Sequence, residues 1–473
     1  MSGQQLHVAE RLATYEVIKQ IEAKTWPTVP LSEAVDINPK ADRSLLTDDT
    51  EVTFVPMAAV EAASGRVDTS TVRRYEKVKK GYTHFRDGDV LFAKITPCME
   101  NGKMAVTHGL RNGVGLGSTE FHVLRPRKGV DPHYVYHFVS STRYRSEAAH
   151  HMTGAVGQKR VPLSFLEQSQ IPLPELDEQR RIVAEIEKQF SRLDEAVAGL
   201  KRVKANLKRY KAAILKAAVE GRLVPTEGDL ARREGRNYET GAQLLQRILD
   251  SRRSQWQGKG KYKEPVAPDT TNLPELPEGW AWASAMQACD PVVDCHNKTA
   301  PYTDSGIPLV RTTNIRDGRL LLDDVRFVDQ PTYEFWSRRC PPEPGDVLFT
   351  REAPMGEAGI IPRGVRLCLG QRTMLMRPSP AISSSFLLTA LLSPVVKALI
   401  ERVAVGSGVK HLRVGDVELL PIPLPPLAEQ HRIVAEVDRQ VSLVSEVGLD
   451  VEVNLSRGKL LKESVLDLMF RSQ

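Results

Sequence analysis

Asp89 and Lys94, five residues apart beyond a glycine turn, imitate half of a metal-dependent nuclease site. Such a site needs a second carboxylate to hold its cation, and none stands at a matching spacing, so a turn feeding a strand is the better assignment. Asp131-Pro132-His133-Tyr134 comes nearest to the Asn/Asp-Pro-Pro-aromatic loop that grips a target amino group in amino-methyltransferases. Histidine occupies the second proline position, and an acidic residue before proline opens a helix. No G-x-x-x-x-G-K-S/T loop is present, which argues against ATP hydrolysis by this chain. The eleven histidines contain no H-E-x-x-H pair, and Cys98, Cys289, Cys295, Cys340 and Cys368 form no C-x-x-C pair. We therefore expect no catalytic residues and no metal ligands.

Binding chemistry is better represented. Gly154-Ala155-Val156-Gly157-Gln158-Lys159-Arg160 is a flexible basic loop, and Gly406-Ser407-Gly408-Val409-Lys410-His411-Leu412-Arg413 is a second. Glycines let backbone N–H groups approach phosphates, and the cations neutralise them. A plain basic turn is the competing assignment. Reading base edges needs forked or paired donors and acceptors. Lys94, Thr96, Asn101 and Lys103 could supply them early in the chain, and Arg311, Thr313, Asn314, Arg351, Gln371 and Arg372 later. With Gln158, Lys159, Arg160, Lys410, His411 and Arg413 these are the candidate DNA-binding residues.

Repeated elements must position these side chains. Ile171-Pro172-Leu173-Pro174-Glu175-Leu176-Asp177-Glu178-Gln179-Arg180-Arg181-Ile182-Val183-Ala184-Glu185-Ile186 recurs, with 12 of 16 positions identical, as the segment from Ile422 to Val437. Each copy reads as a proline-bearing strand end running into a helix whose first turn is acidic. Gly88-Asp89-Val90-Leu91-Phe92 recurs as Gly345-Asp346-Val347-Leu348-Phe349, each with a cation two residues on, Lys94 and Arg351. Leu116-Gly117 precedes Leu124-Arg125-Pro126 as Leu369-Gly370 precedes Met376-Arg377-Pro378. The chain is a tandem duplication of a globule and a long helix.

The expected division is an N-terminal helix over 1–26, a globule over 27–176, a long helix over 177–222, a polar linker over 223–276, a second globule over 277–427 and a second long helix over 428–473. Short β-like runs separated by glycine turns fill the first globule, with a helical patch from Tyr134 to Ala149. Ile186, Phe190, Leu193, Val197, Leu200, Val203, Leu207, Tyr210 and Ile214 form a coiled-coil seam with one stammer, between Val197 and Val203. Thr240 is the candidate cap of a short helix to Trp256 in the polar stretch, and Gly258 to Glu275, poor in apolar residues, reads as a linker. Gly448 and Gly458 should weaken or kink the second long helix.

With 473 residues, 41% hydrophobic and 26% charged, the chain has the composition of a globular protein with more than one core. The net charge of +6 suits a polyanion partner without demanding one. The odd cysteine count suggests reduced thiols, no signal peptide is visible, and the apolar run Phe386–Ile400 is broken by Ser393-Pro394, so a cytoplasmic location without membrane contact is expected.

The junctions Asp177-Glu178-Gln179-Arg180-Arg181-Ile182-Val183 and Ala428-Glu429-Gln430-His431-Arg432-Ile433-Val434 resemble those of the specificity subunits of type I restriction–modification systems. Leu276-Pro277-Glu278-Gly279-Trp280 and Val219-Glu220-Gly221-Arg222-Leu223-Val224-Pro225 are similar to that family too, and the likeness covers nearly the whole chain. It implies two homologous mixed α/β (α+β) target recognition domains, a pseudo-twofold pair separated by two antiparallel coiled-coil helices. It implies a non-catalytic subunit that reads a bipartite, asymmetric sequence in double-stranded DNA. Its partners would be two methyltransferase subunits and motor-endonuclease restriction subunits, and S-adenosylmethionine, ATP and magnesium would belong to them rather than to this chain. A coiled-coil adaptor that reads no DNA and a self-contained modification enzyme are the rival expectations.

Overall fold

The computed structural model describes residues 26–470, apart from 41, 43, 45, 156 and 259. The helix expected over 1–26 lies outside the described residues but for Trp26. The chain forms two compact units: one up to Lys201 joined by the stretch from Glu452, the other Arg202–Val451.

In the first unit an antiparallel sheet orders Val35–Ile37, Phe121–Pro126, Val90–Ala93 and Met104–Val106. A second sheet orders Val72–Arg74, Glu51–Val55, Val114–Gly117 and Thr83–Arg86, with its two central strands parallel. The short pair Thr28–Pro30 and Gln170–Pro172 ties the start of the globule to its end. The patch expected from Tyr134 to Ala149 is two helices, Pro132–Ser140 and Thr142–His150. The break is at Ser141, whose hydroxyl donates to Phe138 O (2.8 Å) and accepts from Tyr144 N (3.3 Å), ending one helix and capping the next.

The second unit repeats the first sheet as Cys289–Asp294, Thr373–Pro378, Val347–Thr350 and Ala358–Ile360. Its counterpart of the second sheet has three strands, Arg326–Val328, Ile307–Val310 and Cys368–Leu369. The missing fourth strand has a covalent cause. Arg86 N donates to Asp89 Oδ2 and Glu343 N to Asp346 Oδ2 (both 2.8 Å), so Thr83–Arg86 corresponds to Cys340–Glu343. Pro341 and Pro342 have no N–H with which to join a ladder. The first globule instead lays Phe85 over Gly115, where a Cβ would come within 2.0 Å of the ring.

The sheet register also corrects the sequence match between Leu116-Gly117 and Leu369-Gly370. Val55 pairs with Gly117 but Val310 pairs with Leu369, so the two Leu-Gly pairs are displaced by one residue.

The repeated motifs now have physical roles. Asp89 of Gly-Asp-Val takes both arms of Arg125 (2.8 and 2.7 Å), and Asp346 takes Arg377 in the same way (2.8 and 2.8 Å). Each pair clamps the start of one central strand to its neighbour. Asp89 is thus a buried structural anion. At the junctions the buried Gln179 accepts from Asp131 N (2.9 Å) and donates to Pro174 O (2.8 Å). Gln430 accepts from Ser383 N (2.9 Å) and donates to Pro425 O (3.1 Å). Asp131 and Ser383 each cap a helix packed on the sheet, so the glutamine locks the long helix to its globule. Glu429 adds a second lock: it accepts from Trp280 Nε1 (3.1 Å) and from Glu227 N (2.8 Å), which accounts for the Leu-Pro-Glu-Gly-Trp string.

The long helices are Leu176–Val219 and Leu427–Met469. The first unit buries Ile182 and Ile186 beside Leu466, Met469 and Phe470. The second unit buries Ile214, Leu215 and Val219 beside Ile433 and Val437. Within each unit the helical stretches run antiparallel, with Asp194 on Lys462 (2.6 Å) in the first and Tyr210 on Gln440 (3.2 Å) in the second. The expected seam is buried at its ends only. Beyond the stammer Val203 is 40% exposed and Tyr210 54%, although the Tyr210 hydroxyl still reaches Gln440. The second long helix runs unbroken through both glycines. Gly458 is a packing residue: a Cβ there would meet Val197 Cγ2 at 2.9 Å.

The linker contains the expected helix, Gly241–Ser254, capped by Thr240, and also an unexpected one, Glu227–Glu234, capped by Thr226. The tract after it has no helix or strand, yet Pro265 and Pro268 are buried and Ser284 Oγ donates to Val266 O (2.6 Å).

Candidate nucleic-acid interface

Both globules bring three loops together at the far ends of the two clamped strands. In the first, Lys94 N donates to Glu120 O (2.9 Å), Val161 N to Lys94 O (2.9 Å) and Thr96 N to Lys159 O (3.0 Å). In the second, Arg351 N donates to Arg372 O (2.9 Å) and Leu412 N to Arg351 O (3.0 Å). The glycine-marked loops close on themselves alike, through Thr153 with Arg160 and Val405 with His411. Thr96-Pro97 and Ala353-Pro354, at matching places, are both cis. Two sequence-distant sets of candidates per globule thus form one face.

Each candidate can be placed on this frame. Lys94 is half-buried, and Gln158 and Lys159 are exposed. Arg160 is held by both oxygens of Glu120 (2.9 and 2.8 Å), and the guanidinium keeps that carboxyl below the usual carboxylate range. The Thr96 hydroxyl contacts Met152 Sδ (3.6 Å), Asn101 is exposed, and Lys103 Nζ donates to Met57 O (3.1 Å).

In the second globule Arg311, Thr313, Gln371 and Arg372 line one cavity of about 150 Å³ with Thr299 and Tyr302. The Gln371 amide donates to Asn297 O (2.9 Å) and accepts from Thr299 Oγ1 (3.3 Å). Arg351 Nη1 donates to Leu412 O (3.1 Å). Its Nε, like that of Arg311, is buried with no partner among the described residues. Lys410 pairs with Glu401 (2.7 Å), His411 is half-buried, and Arg413 is exposed at the start of helix Val414–Glu418. Asn314 departs from the expectation. It is 4% exposed, and its amide accepts from Arg311 N (3.1 Å) and donates to Asp324 O (2.8 Å) and Leu321 O (3.3 Å). It shapes the loop that carries Arg311 and has no polar atom left to offer a ligand.

Sequence reasoning missed Glu120 and Glu352, the carboxylates that hold Arg160 and Arg372. The available signal was an acidic residue inside an otherwise basic loop set. No group of His, Cys, Asp and Glu suited to a metal ion occurs among the described residues. None of the described helices is long and apolar enough to cross a membrane.

A duplicated loop face built of forked cations, amides and hydroxyls on a rigid strand pair is the equipment of a nucleic-acid reader. Comparison with known proteins gives that class its family. The family model described as the type I restriction modification DNA specificity domain matches residues 23–208 and 338–444, more than half of the chain. The specificity subunit of type I restriction enzyme EcoAI from Escherichia coli is 29% identical over 89% of this chain and 78% of its own length. That of EcoEI, from the same species, is 28% identical over 87% and 77%. The HsdS subunit from Thermoanaerobacter tengcongensis shares the fold, with a TM-score of 0.57 at 21% identity over 94% of this chain and 97% of that one. A chain from a structure on complex assembly and conformational transition of the type I restriction–modification system has a TM-score of 0.66, again at 21% identity, over 94% and 98%. The chain belongs to the type I restriction modification DNA specificity family. It is a DNA-recognition subunit, and the catalytic work of such a system lies in partner subunits.

Proposed function

We infer that this subunit reads a bipartite, asymmetric DNA sequence, one half-site per globule, and directs methyltransferase and motor-endonuclease partners to it. The observation that carries this reading is the same three-loop frame occurring twice with different side chains upon it. A shared frame gives both globules one way of approaching duplex, and different side chains give each its own bases. The long helices, 44 and 43 residues, are about 66 Å long at 1.5 Å per residue, roughly two turns of duplex. They act as the ruler between half-sites and as the platform for two methyltransferase subunits. Tyr210, Leu443, Val447 and Leu449, all exposed on these helices, supply apolar docking surface. S-adenosylmethionine, ATP and magnesium are held by the partners.

The test is an exchange of residues 27–176 for the same segment of a relative, read by sequencing methylated genomic DNA. One half of the modified sequence should change and the other stay. A change in both halves would refute one globule per half-site. Inserting a heptad into Leu176–Val219 should lengthen the unread spacer. An active complex with an unchanged spacer would end the ruler idea.

A further inference from the structure

The corresponding loops of the two globules carry an ion pair with its members exchanged. The backbone bonds from Lys94 N to Glu120 O and from Arg351 N to Arg372 O place Glu120 and Arg372 at the same point of the frame, the turn before the second clamped strand. Glu120 pairs there with Arg160 of the glycine-marked loop. Arg372 pairs with Glu352, one residue past Arg351, where the first globule has Ile95. His411 occupies the position of Arg160. In both pairs the arginine is the outer member. Arg160 is 44% exposed against 25% for Glu120, and Arg372 is 54% exposed against 23% for Glu352.

The pairs also leave donors free in a useful arrangement. Glu120 takes Arg160 at Nε and Nη2, and Gln158 O takes one bond from Nη1 (3.1 Å). Of the five N–H groups of a guanidinium, one remains on each terminal nitrogen of Arg160. Arg372 meets Glu352 at Nε (3.0 Å), which leaves its terminal nitrogens for a ligand in the cavity it lines. Arg372 also sits at φ 65°, in the left-handed region that non-glycine residues seldom adopt. Strain of this kind persists where the surroundings enforce it and collects at ligand-binding positions.

We propose that Arg160 and Arg372 are the guanine-reading residues of the two globules, delivered to the duplex from different loops by carboxylates that hold them edge-on. Guanine presents O6 and N7 side by side in the major groove, and a two-pronged arginine fork matches that pair of acceptors. Because the forks come from different loops of one frame, the G·C pair each reads falls at a different place within its half-site. Glu120 and Glu352 are positioning residues. This inference rests on the reading of one half-site per globule.

The experiment uses the complete complex with its methyltransferase subunits and a set of duplexes in which every position of the recognised sequence is varied singly. Arg372→Lys and Arg160→Lys keep the charge but lose the fork. Each should lower discrimination by roughly ten- to a hundredfold at one G·C pair of its own half-site, with the other half-site unchanged. Glu352→Gln and Glu120→Gln should relax the same positions more weakly, because the arginine stays but is less firmly aimed. Affinity for unrelated duplex at low salt reports that each variant is folded. The proposal is overturned if both lysine variants keep full discrimination at every position. It is overturned equally if alanine at either position weakens all sequences alike and reduces the salt slope by about one, the signature of a phosphate contact. A wild-type complex indifferent to sequence would refute the underlying reading instead.

Discussion

The two globules share a skeleton and differ in what they hang on it. Both have the buried Asp–Arg clamp, the glutamine lock and the three-loop face. The turn that carries Arg311-Thr312-Thr313-Asn314 in the second is Pro56-Met57-Ala58-Ala59 in the first, a 3₁₀ turn in both cases. One globule offers a polar cavity there and the other an apolar turn whose Met57 carbonyl engages Lys103. Groups that fix backbone are kept, and groups that face outward diverge. A reader of two unlike half-sites needs that division, because the frame sets the approach and the surface sets the bases.

The clamp offers the hardest test of this equivalence. Asp89→Asn leaves the partly buried Arg125 without its anion, and Asp346→Asn leaves Arg377 only the exposed Glu343 (3.4 Å); breaking a buried pair costs about 3–5 kcal/mol. Each substitution should loosen its own unit only, measured by hydrogen exchange resolved along the chain. A next step is Gln179→Ala against Gln430→Ala. Each strands a part-buried backbone N–H at a helix cap, at about 1–3 kcal/mol, and the two losses in denaturant midpoint should be similar.

Acid should separate the units. His122 donates from Nε2 to Val161 O (3.0 Å) and accepts at Nδ1 from Asn38 Nδ2 (3.0 Å), so only the neutral ring fits. Burial pushes its pKa down, and pushes that of His137 down to about 3. Both pKa values lie below the unfolded value of about 6.5. Their contribution is therefore complete above pH 6.5 and is lost as the pH falls, by at most about 1.4 kcal/mol per pH unit for each. The second globule has Met374 and Thr389 at these places. Hydrogen exchange at pH 5 should open the first unit before the second, and His137→Leu should shrink the difference. The smallest expected effect is at the helical glycines. Gly448→Ala, in open space, should stabilise by about 0.5–1 kcal/mol in thermal unfolding. Gly458→Ala should lose that gain against Val197.

The duplicated frame was legible in the sequence because its groups lie in short strings: Gly-Asp-Val, Arg-Pro and the glutamine of each junction. The long helices were legible from their period. Ion pairs between loops were not, since Glu120 and Arg160 meet only after two strands have paired. Asn314 has the residue type of an adenine reader, and only its burial shows that its amide is used internally. Gly458 carries the composition of a helix breaker, and a neighbour distant in sequence, Val197, makes it a contact. The lost strand opposite Thr83–Arg86 was written in Pro341 and Pro342, but the alignment that exposes it follows from the hydrogen bonds to Asp89 and Asp346.

The ring of Phe470 packs on Tyr134 at 5.2 Å and on Phe138 at 5.6 Å. The globule that leaves the ribosome first is therefore completed by residues made more than three hundred positions later. At about 5–20 residues per second, that interval lasts roughly tens of seconds. Throughout it, two aromatic rings of a DNA-reading domain wait for their cover, and the order of synthesis runs against the order of closure.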